Sequence, residues 1–264
     1  MHLTLLGTAG WMPTERRETT CFACREGETL IVFDAGTGLR RLAAPAHREL
    51  ADVEDVHIFL THYHLDHVCG LAYLSGVLPD RRVTIHAPAR EFTGVEPASA
   101  LGDLLHKPYH PHNLLESTAV HIEPIGRRAV VADRVITTRP QRHSDLSLAY
   151  RVDDDVVLAT DTTPDRETAV FAEGVRLLLH EAWYWRGDAA LERGVPPSYT
   201  GHSDAESAAQ IACAAGVDQL VLVHLNPLRS ENDYLQLESA ARAIHARTYV
   251  FADGEAVPTD AVLP

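Results

Sequence analysis

Residues 60–67, Leu-Thr-His-Tyr-His-Leu-Asp-His, bring four side chains that can bind metals into one short stretch of chain. His62 and His64 are separated by a single residue, so on an extended segment both point to the same side. Asp66 and His67 follow at a turn that leads into a predicted helix. Imidazole suits zinc, iron, nickel and copper, whereas a carboxylate also suits manganese. The spacing therefore predicts a metal site; an incidental polar loop is the alternative.

Three more side chains that can bind metals follow predicted strands in the second half of the chain. His143, Asp161 and His224 each come after an apolar run of strand length. Taken alone, His143 or His224 would more often be a structural or surface histidine. Their positions at strand ends, and the additional ligands that a site at residues 62–67 would need, favour a role in metal binding.

The elements that must position these residues can be predicted from the apolar runs and the turn residues. Residues 88–117 are predicted to be irregular, because Pro88, Pro97, Pro108 and Pro111 interrupt any long element. Strands followed by helices occur in two similar halves, which favours two packed sheets with helices outside. The predicted strands are 2–6, 19–25, 29–33, 56–60, 82–86, 118–123, 129–138, 147–152, 155–160, 175–179, 218–223 and 248–251; the predicted helices are 39–50, 68–78, 204–215 and 231–246, with a loop at 186–201.

The pattern His-x-His-x-Asp-His after an apolar strand resembles the signature of the metallo-β-lactamase superfamily. An Asp34-Ala35-Gly36 loop upstream and the three distal residues occur in the order expected for that family, so the resemblance covers nearly the whole chain. It implies an α/β fold, a four-layer αβ/βα sandwich of two mixed β-sheets with helices on the outside. It also implies a single hydrolase domain that spans residues 1–264.

The resemblance further implies a site for two divalent metal ions. The implied ligands of the first ion are His62, His64 and His143; those of the second are Asp66, His67 and His224, and Asp161 bridges both. A set rich in histidine favours zinc, while two aspartates leave manganese and iron open. Asp34 is expected to support one of the ligands through a hydrogen bond.

Two segments resemble ribonuclease Z and its phosphodiesterase relatives within that superfamily. Residues 179–183, Leu-His-Glu-Ala-Trp, resemble a His-Glu-Ala-Thr segment, and residues 201–208 resemble a Gly-His-Ser-Thr segment that opens a helix. The resemblance implies that Glu181 and His202 form a proton-handling pair beside the metals. The alternatives are a solvated Glu181 and a His202 that merely precedes a helix cap at Ser203. His180 is expected to be structural.

The chain departs from ribonuclease Z in two places. That family has a basic, glycine-rich arm that grips transfer RNA, but residues 88–117 place two basic side chains among four acidic ones. His224 is followed by Leu-Asn-Pro, not by the Ser-x-Arg-Tyr type of tail. Both departures argue against transfer-RNA processing. Residues 107–112, Lys-Pro-Tyr-His-Pro-His, form either a lid over a small substrate or a proline-stiffened surface loop.

Composition limits the partners that we expect. The 264 residues carry 23 Lys and Arg against 37 Asp and Glu, a net charge of −14, and Lys107 is the one lysine. The lack of a basic stripe argues against binding to nucleic acid, although a nucleic-acid substrate stays open as an alternative. No apolar run approaches the roughly 18 residues of a membrane helix, and no basic leader precedes the first strand. The expected location is therefore cytoplasmic, and a homodimer is possible by analogy with relatives.

The four cysteines include one Cys-x-x-Cys pair, Cys21 and Cys24, which could indicate metal or redox chemistry. The two residues lie in a predicted strand, where positions three apart face opposite sides. No second pair exists to complete a zinc knuckle. Buried structural cysteines are therefore expected.

The function predicted from these features is a dinuclear metal-dependent hydrolase, acting as a phosphodiesterase on a small cyclic or compact phosphodiester. Two cations would lower the pKa of a shared water and neutralise charge on the phosphoryl oxygens. His202, held by Glu181, is the expected general acid, and Asp66 could orient the attacking hydroxide. The alternatives are an RNA endonuclease of the ribonuclease Z type, a hydrolase of carbon esters, lactones or thioesters, and a binding module without activity.

Overall fold

The computed structural model describes residues 1–117, 119–186 and 201–258 and contains two seven-stranded sheets. The first sheet has the order β14-β1-β2-β3-β4-β5-β6 and the second the order β13-β12-β11-β10-β9-β8-β7. The strands are β1 His2–Gly7, β2 Cys21–Glu26, β3 Thr29–Phe33, β4 Asp55–Phe59, β5 Arg82–Pro88, β6 Val120–Ile125, β7 Arg128–Val131, β8 Arg134–Gln141, β9 Ser147–Val152, β10 Val156–Ala159, β11 Leu177–Glu181, β12 Gln219–Val223, β13 Thr248–Tyr249 and β14 Ala256–Pro258.

Both sheets are mixed and repeat one pattern. In the first sheet, β3 to β6 are parallel neighbours, while the pairs from β14 to β3 are antiparallel. In the second sheet, β10 to β13 are parallel and β7 to β10 antiparallel. The carboxyl ends of parallel strands meet at one edge of a sheet, and ligands in open α/β sheets bind there. Each half of the chain can therefore deliver loops to the same edge.

Helices cover the outer face of each sheet, so the predicted four-layer sandwich is confirmed. The α-helices are α1 Arg48–Ala51, α2 Leu65–Val68, α3 Leu74–Val77, α4 Arg90–Thr93, α5 Pro97–Gly102, α6 Arg166–Phe171, α7 Ala205–Ala215 and α8 Glu231–Arg242. The 3-10 helices lie at Thr37–Ala43, Pro45–His47, Cys69–Tyr73, Asp103–Leu105 and Leu114–Glu116. None of the helices among the described residues is long and apolar enough to cross a membrane.

Three buried apolar clusters hold the layers together. The central cluster lies between the sheets, where Phe33, Phe59 and Tyr150 pack with ring centroids 5.5 to 5.7 Å apart. The two outer clusters join each sheet to its own helices. Cys21 belongs to an outer cluster and Cys24 to the central one, and both are free thiols. The two cysteines thus face opposite sides of β2, as predicted, and are buried.

Several predicted elements differ in detail from the structure. The helix predicted at 39–50 is wrong as one element, because Pro45 lacks the N–H that a continuous helix needs. The strand predicted at 129–138 is a hairpin of β7 and β8, which turns at Ala132 and Asp133 with φ of 49° and 62°. Residues 88–117, predicted to be irregular, contain α4 and α5.

Helix α6 and strand β14 were not predicted either. Helix α6 begins with Asp165, whose side chain accepts a hydrogen bond from the Glu167 N–H, and β14 completes the first sheet by pairing with β1. Residues 187–200, most of the predicted loop 186–201, lie outside the described part of the chain.

Candidate metal centre

All seven residues predicted as metal ligands meet at the carboxyl ends of strands from both sheets. Residues 60–68 after β4, which include α2 and are called the β4 loop below, carry four of them, and short loops after β8, β10 and β12 carry one each. The ligand atoms group within 4.8 Å of one another in three sets: His62, His64, His143 and Asp161; Asp66, His67 and His224; Asp161, His202 and His224. Four stretches distant in sequence therefore converge on one place.

Asp161 lies between the histidines of both halves. Its Oδ1 is 3.4 Å from His143 Nε2 and 3.3 Å from His224 Nε2, while its Oδ2 is 3.1 Å from His67 Nε2. Asp66 Oδ2 is 3.3 Å from His67 Nε2 and 3.4 Å from His224 Nε2. The two carboxylates thus face the same imidazole nitrogens, and Asp161 reaches both predicted ligand groups.

Each histidine of the β4 loop is held by a hydrogen bond at one of its two ring nitrogens. His67 Nδ1 donates to Asp34 Oδ2 at 2.8 Å, and both residues are buried. His62 Nδ1 lies 3.0 Å from Thr61 Oγ1, whose hydroxyl donates in turn to Asp34. His64 Nε2 donates to Asp145 Oδ2 at 3.0 Å. When the ring is neutral, the other ring nitrogen keeps its lone pair for a ligand, as in histidines that bind metals.

The buried polar atoms at the centre fit a cation. The Nε2 atoms of His62 and His67 and Asp161 Oδ2 are buried without a hydrogen-bond partner. His67 donates through Nδ1 to Asp34, and its Nε2 faces two carboxylates; although burial opposes it, Asp161, Asp66 and Asp34 raise the pKa of His67 well above its ordinary value. Buried carboxylates need a positive charge close to them, which a divalent cation would supply in place of the proton on His67. The residues present therefore suit divalent metal ions.

Electrostatics in this cluster are strong. Burial opposes ionisation of Asp161, yet His224, His67 and His62 hold the pKa of that carboxyl well below its usual range. The pKa of Asp66 is lowered in the same way, with His67 and His224 outweighing burial. Burial lowers the pKa of His62 well below its ordinary value. Both carboxylates are thus ionised, and His62 is neutral, the state that binds metals.

Backbone conformation positions the ligands of the second half. Asp161 and His224 have φ of 53° and 49°, in the left-handed region. A Cβ on Gly10 would overlap the His224 imidazole, so this position must remain a glycine for the ring to keep its place. His143 Nδ1 donates to the Gly201 carbonyl at 2.9 Å, and Gly201 itself has a φ of 76°. These loops adopt conformations that turn each single side chain toward the centre.

Glu181 and His202 form a pair beside the metal ligands. His202 Nδ1 donates to Glu181 Oε2 at 2.9 Å, and Glu181 also accepts the N–H groups of Ser203 and Thr162. Although burial works against protonation, Glu181 raises the pKa of His202 to about 9. Glu181 is fully buried and not solvated. His180 is also buried and donates to a backbone carbonyl, as expected of a structural residue.

Four residues that contact the metal ligands or His202 were not predicted from the sequence. Trp183 stacks on His202, with ring centroids 4.4 Å apart and planes 9° from parallel. Thr61 and Asp145 hold His62 and His64, and the Trp11 N–H donates to Asp66 Oδ2 at 2.6 Å. The sequence contained a signal only for Trp183, which occupies the threonine position of the His-Glu-Ala-Thr segment. Of the predicted lid, Lys107 and Tyr109 are exposed, and the lid stays a prediction.

Comparison with known proteins agrees with this geometry. The family model described as a beta-lactamase superfamily domain matches residues 29–225. The chain belongs to this superfamily. A ribonuclease Z of Methanothermobacter thermautotrophicus is 26% identical over 306 residues, covering 96% of this chain and 95% of that protein. Since 306 positions exceed the length of this chain, that alignment includes segments of the relative that this chain lacks.

Solved structures show the same fold. The metallo-β-lactamase fold protein YhfI from Bacillus subtilis has a TM-score of 0.75 at 20% identity, covering 97% of this chain and 98% of that one. A diphosphatase from the PhnP family has a TM-score of 0.68 at 18% identity, covering 97% and 96%. These structures show the metallo-β-lactamase fold, and the family match with the curated relatives makes the chain a metal-dependent hydrolase.

Proposed function

We propose that this chain is a dinuclear metallophosphodiesterase that hydrolyses a small phosphodiester, with residues 1–264 as one catalytic domain. The observation that carries the proposal is the Glu181–His202 pair, with a cationic imidazole next to two groups of metal ligands. A phosphodiester needs both features, since charge on the phosphoryl oxygens must be neutralised and the leaving oxygen must gain a proton.

Seven residues would hold two divalent cations, which we propose to be zinc because five of the seven are histidines. They are His62, His64, His143, Asp66, His67, His224 and the bridging Asp161. The cations would supply the Lewis acidity that generates hydroxide near neutral pH and draws charge from the phosphoryl group. The buried, unpartnered nitrogens of His62 and His67 support this assignment.

His202 is the proposed general acid. Its Nδ1 is held by Glu181, so the Nε2–H is available to protonate the leaving oxygen. Glu181 accepts hydrogen bonds from two backbone N–H groups as well, and these bonds keep the carboxylate oriented. Asp66, whose Oδ2 also accepts the Trp11 N–H, would bind a metal and orient the attacking water. A carbon-ester hydrolase with a good leaving group needs no such general acid.

The second candidate is an RNA endonuclease, favoured by the curated relatives named ribonuclease Z. Two observations weigh against it: the net charge of −14 repels a polyphosphate, and residues 88–117 hold only Arg90 and Lys107 as basic side chains. Phosphate contacts dominate the affinity of proteins for nucleic acid, so we place the compact diester first.

The test measures metal content and turnover of bis(4-nitrophenyl) phosphate for two variants. His64→Ala is expected to abolish turnover and lower the bound metal, whereas His202→Ala is expected to lower turnover with metal retained. Equal loss of metal in both variants would refute the role given to His202. Salt-dependent cleavage of precursor transfer RNA, at a higher kcat/KM than any small diester, would favour the second candidate.

A further inference from the structure

Two large apolar side chains are exposed beside the metal centre. Leu65 is 69% exposed and lies between His64 and Asp66 in the β4 loop. Trp11 is 60% exposed, and its backbone N–H donates to Asp66 Oδ2 at 2.6 Å. Both residues are therefore fixed by the backbone at the Asp66 side of the site, although neither side chain belongs to the core.

The backbone at Trp11 is in a conformation that a large side chain rarely adopts. Its φ is 61°, in the left-handed region that favours glycine and asparagine. Four other such residues, Asp80, Ala132, Asp133 and Asp153, lie in surface turns or hairpins, while Asp34, Asp161 and His224 belong to the metal centre. Trp11 shares its conformation with the residues of the centre, and its hydrogen bond to Asp66 secures it there.

The side chains of Trp11 and Leu65 differ in chemistry from the metal centre and from the rest of the surface. The centre presents carboxylates and imidazoles, and the whole chain carries a net charge of −14. The exposed indole of Trp11 and the exposed aliphatic side chain of Leu65 offer uncharged apolar surface on two segments that meet at Asp66. Such surfaces bind aromatic rings by stacking, and they tolerate any nucleobase because every base has a π face.

We infer that Trp11 and Leu65 form a platform for the nucleobase of the substrate, so that the preferred compact diester is a nucleotide and not a wholly aliphatic phosphodiester. The inference rests on the proposed function, which it extends to a substrate class. The phosphoryl group lies at the metal ligands, and the base lies on the indole of Trp11 with Leu65 against its edge.

The test compares two diesters that share a five-membered cyclic phosphate and differ in the nucleoside, adenosine 2′,3′-cyclic phosphate and ethylene phosphate. Trp11→Asn removes the indole and keeps a residue that tolerates positive φ. It is expected to raise KM for the adenosine ester by about fivefold or more, given the strength of stacking on one base, and to leave ethylene phosphate unchanged. Leu65→Ala should act in the same direction with a smaller effect, and Trp11→Phe should restore most of the affinity.

The matched control is Val170→Ala, which truncates a side chain that is 65% exposed on α6 and should alter neither KM. Equal effects of Trp11→Asn on both diesters would show a structural role and overturn the inference. Binding of adenosine monophosphate and of methyl phosphate to the metal-loaded protein, measured by calorimetry, provides a second readout.

Wild-type protein should bind the nucleotide more tightly, and Trp11→Asn should abolish that preference. If wild type hydrolyses neither diester, the proposed function fails, and the binding comparison still decides the inference. Equal affinity of wild type for the two monoesters overturns it.

Discussion

The two halves of the molecule hold their metal ligands by different means. In the first half, the β4 loop carries four ligands, and hydrogen-bonding side chains fix its histidines: Asp34 for His67, Thr61 for His62 and Asp145 for His64. In the second half, Asp161 and His224 are placed by backbone in the left-handed region, and His143 bonds to a carbonyl. A loop with several ligands needs separate partners to orient each ring, whereas a loop with one ligand can be turned as a whole.

The Asp34→Ala variant should show the largest effect, because Asp34 accepts hydrogen bonds from both His67 and Thr61, and these bonds orient the histidines of the β4 loop. It leaves the buried Nδ1–H of His67 without an acceptor and removes the anchor of Thr61. We expect a loss of metal affinity of about 10- to 100-fold or more and a loss of about 3 kcal/mol or more in the free energy of unfolding. Metal analysis and urea denaturation test this. Unchanged metal content would mean that Asp34 does not support the site.

Gly10→Ala tests the second mode, in which backbone and close packing place His224. The added methyl overlaps the imidazole, so the ring must move, and a displacement of this kind costs about 100-fold in turnover. Gly76→Ala is the matched control, since a Cβ at Gly76 meets no atom within 4 Å. It lies in α3 and should stabilise the protein slightly. If both variants turn over the diester equally, close packing at Gly10 has no role.

Glu181→Gln sharpens the comparison, because Glu181 and His202 are a pair in the second half in which one side chain sets the acidity of the other. A general acid works below its pKa, so turnover should fall as pH rises through the pKa of His202, about 9. Since Glu181 is what raises that pKa, the variant should move the alkaline limb of the kcat profile to lower pH. An unshifted limb would assign it to a different group.

Asp145→Ala should have the smallest effect. Asp145 bonds to His64 as Asp34 does to His67, but its side chain is 77% exposed, and water can replace the lost acceptor. We expect less than about a tenfold change in kcat/KM and no measurable change in stability. A loss as large as that of Asp34→Ala would show that the partners of the β4 loop are equivalent regardless of burial.

Strand positions and the two-sheet architecture could be predicted because a strand that is buried on both faces of its sheet has a nearly continuous apolar sequence. The elements that failed are those set by single residues or by distant partners. Pro45 divides a helical segment, and β14 forms only because β1 offers an edge for pairing. The ligand residues were predicted through spacing and family resemblance together, since their mutual distances are properties of the fold.

The sequence by itself determined the ligand types, the compact motif at residues 62–67 and the acidic charge, because these depend only on which residues occur and on local spacing. Only the tertiary structure decided which carboxylate supports which imidazole, that Trp183 stacks on His202, and that Trp11 stands beside Asp66. Those contacts join residues up to 81 positions apart in the chain. They follow from the order of strands in two sheets, which brings separate loops to a common edge.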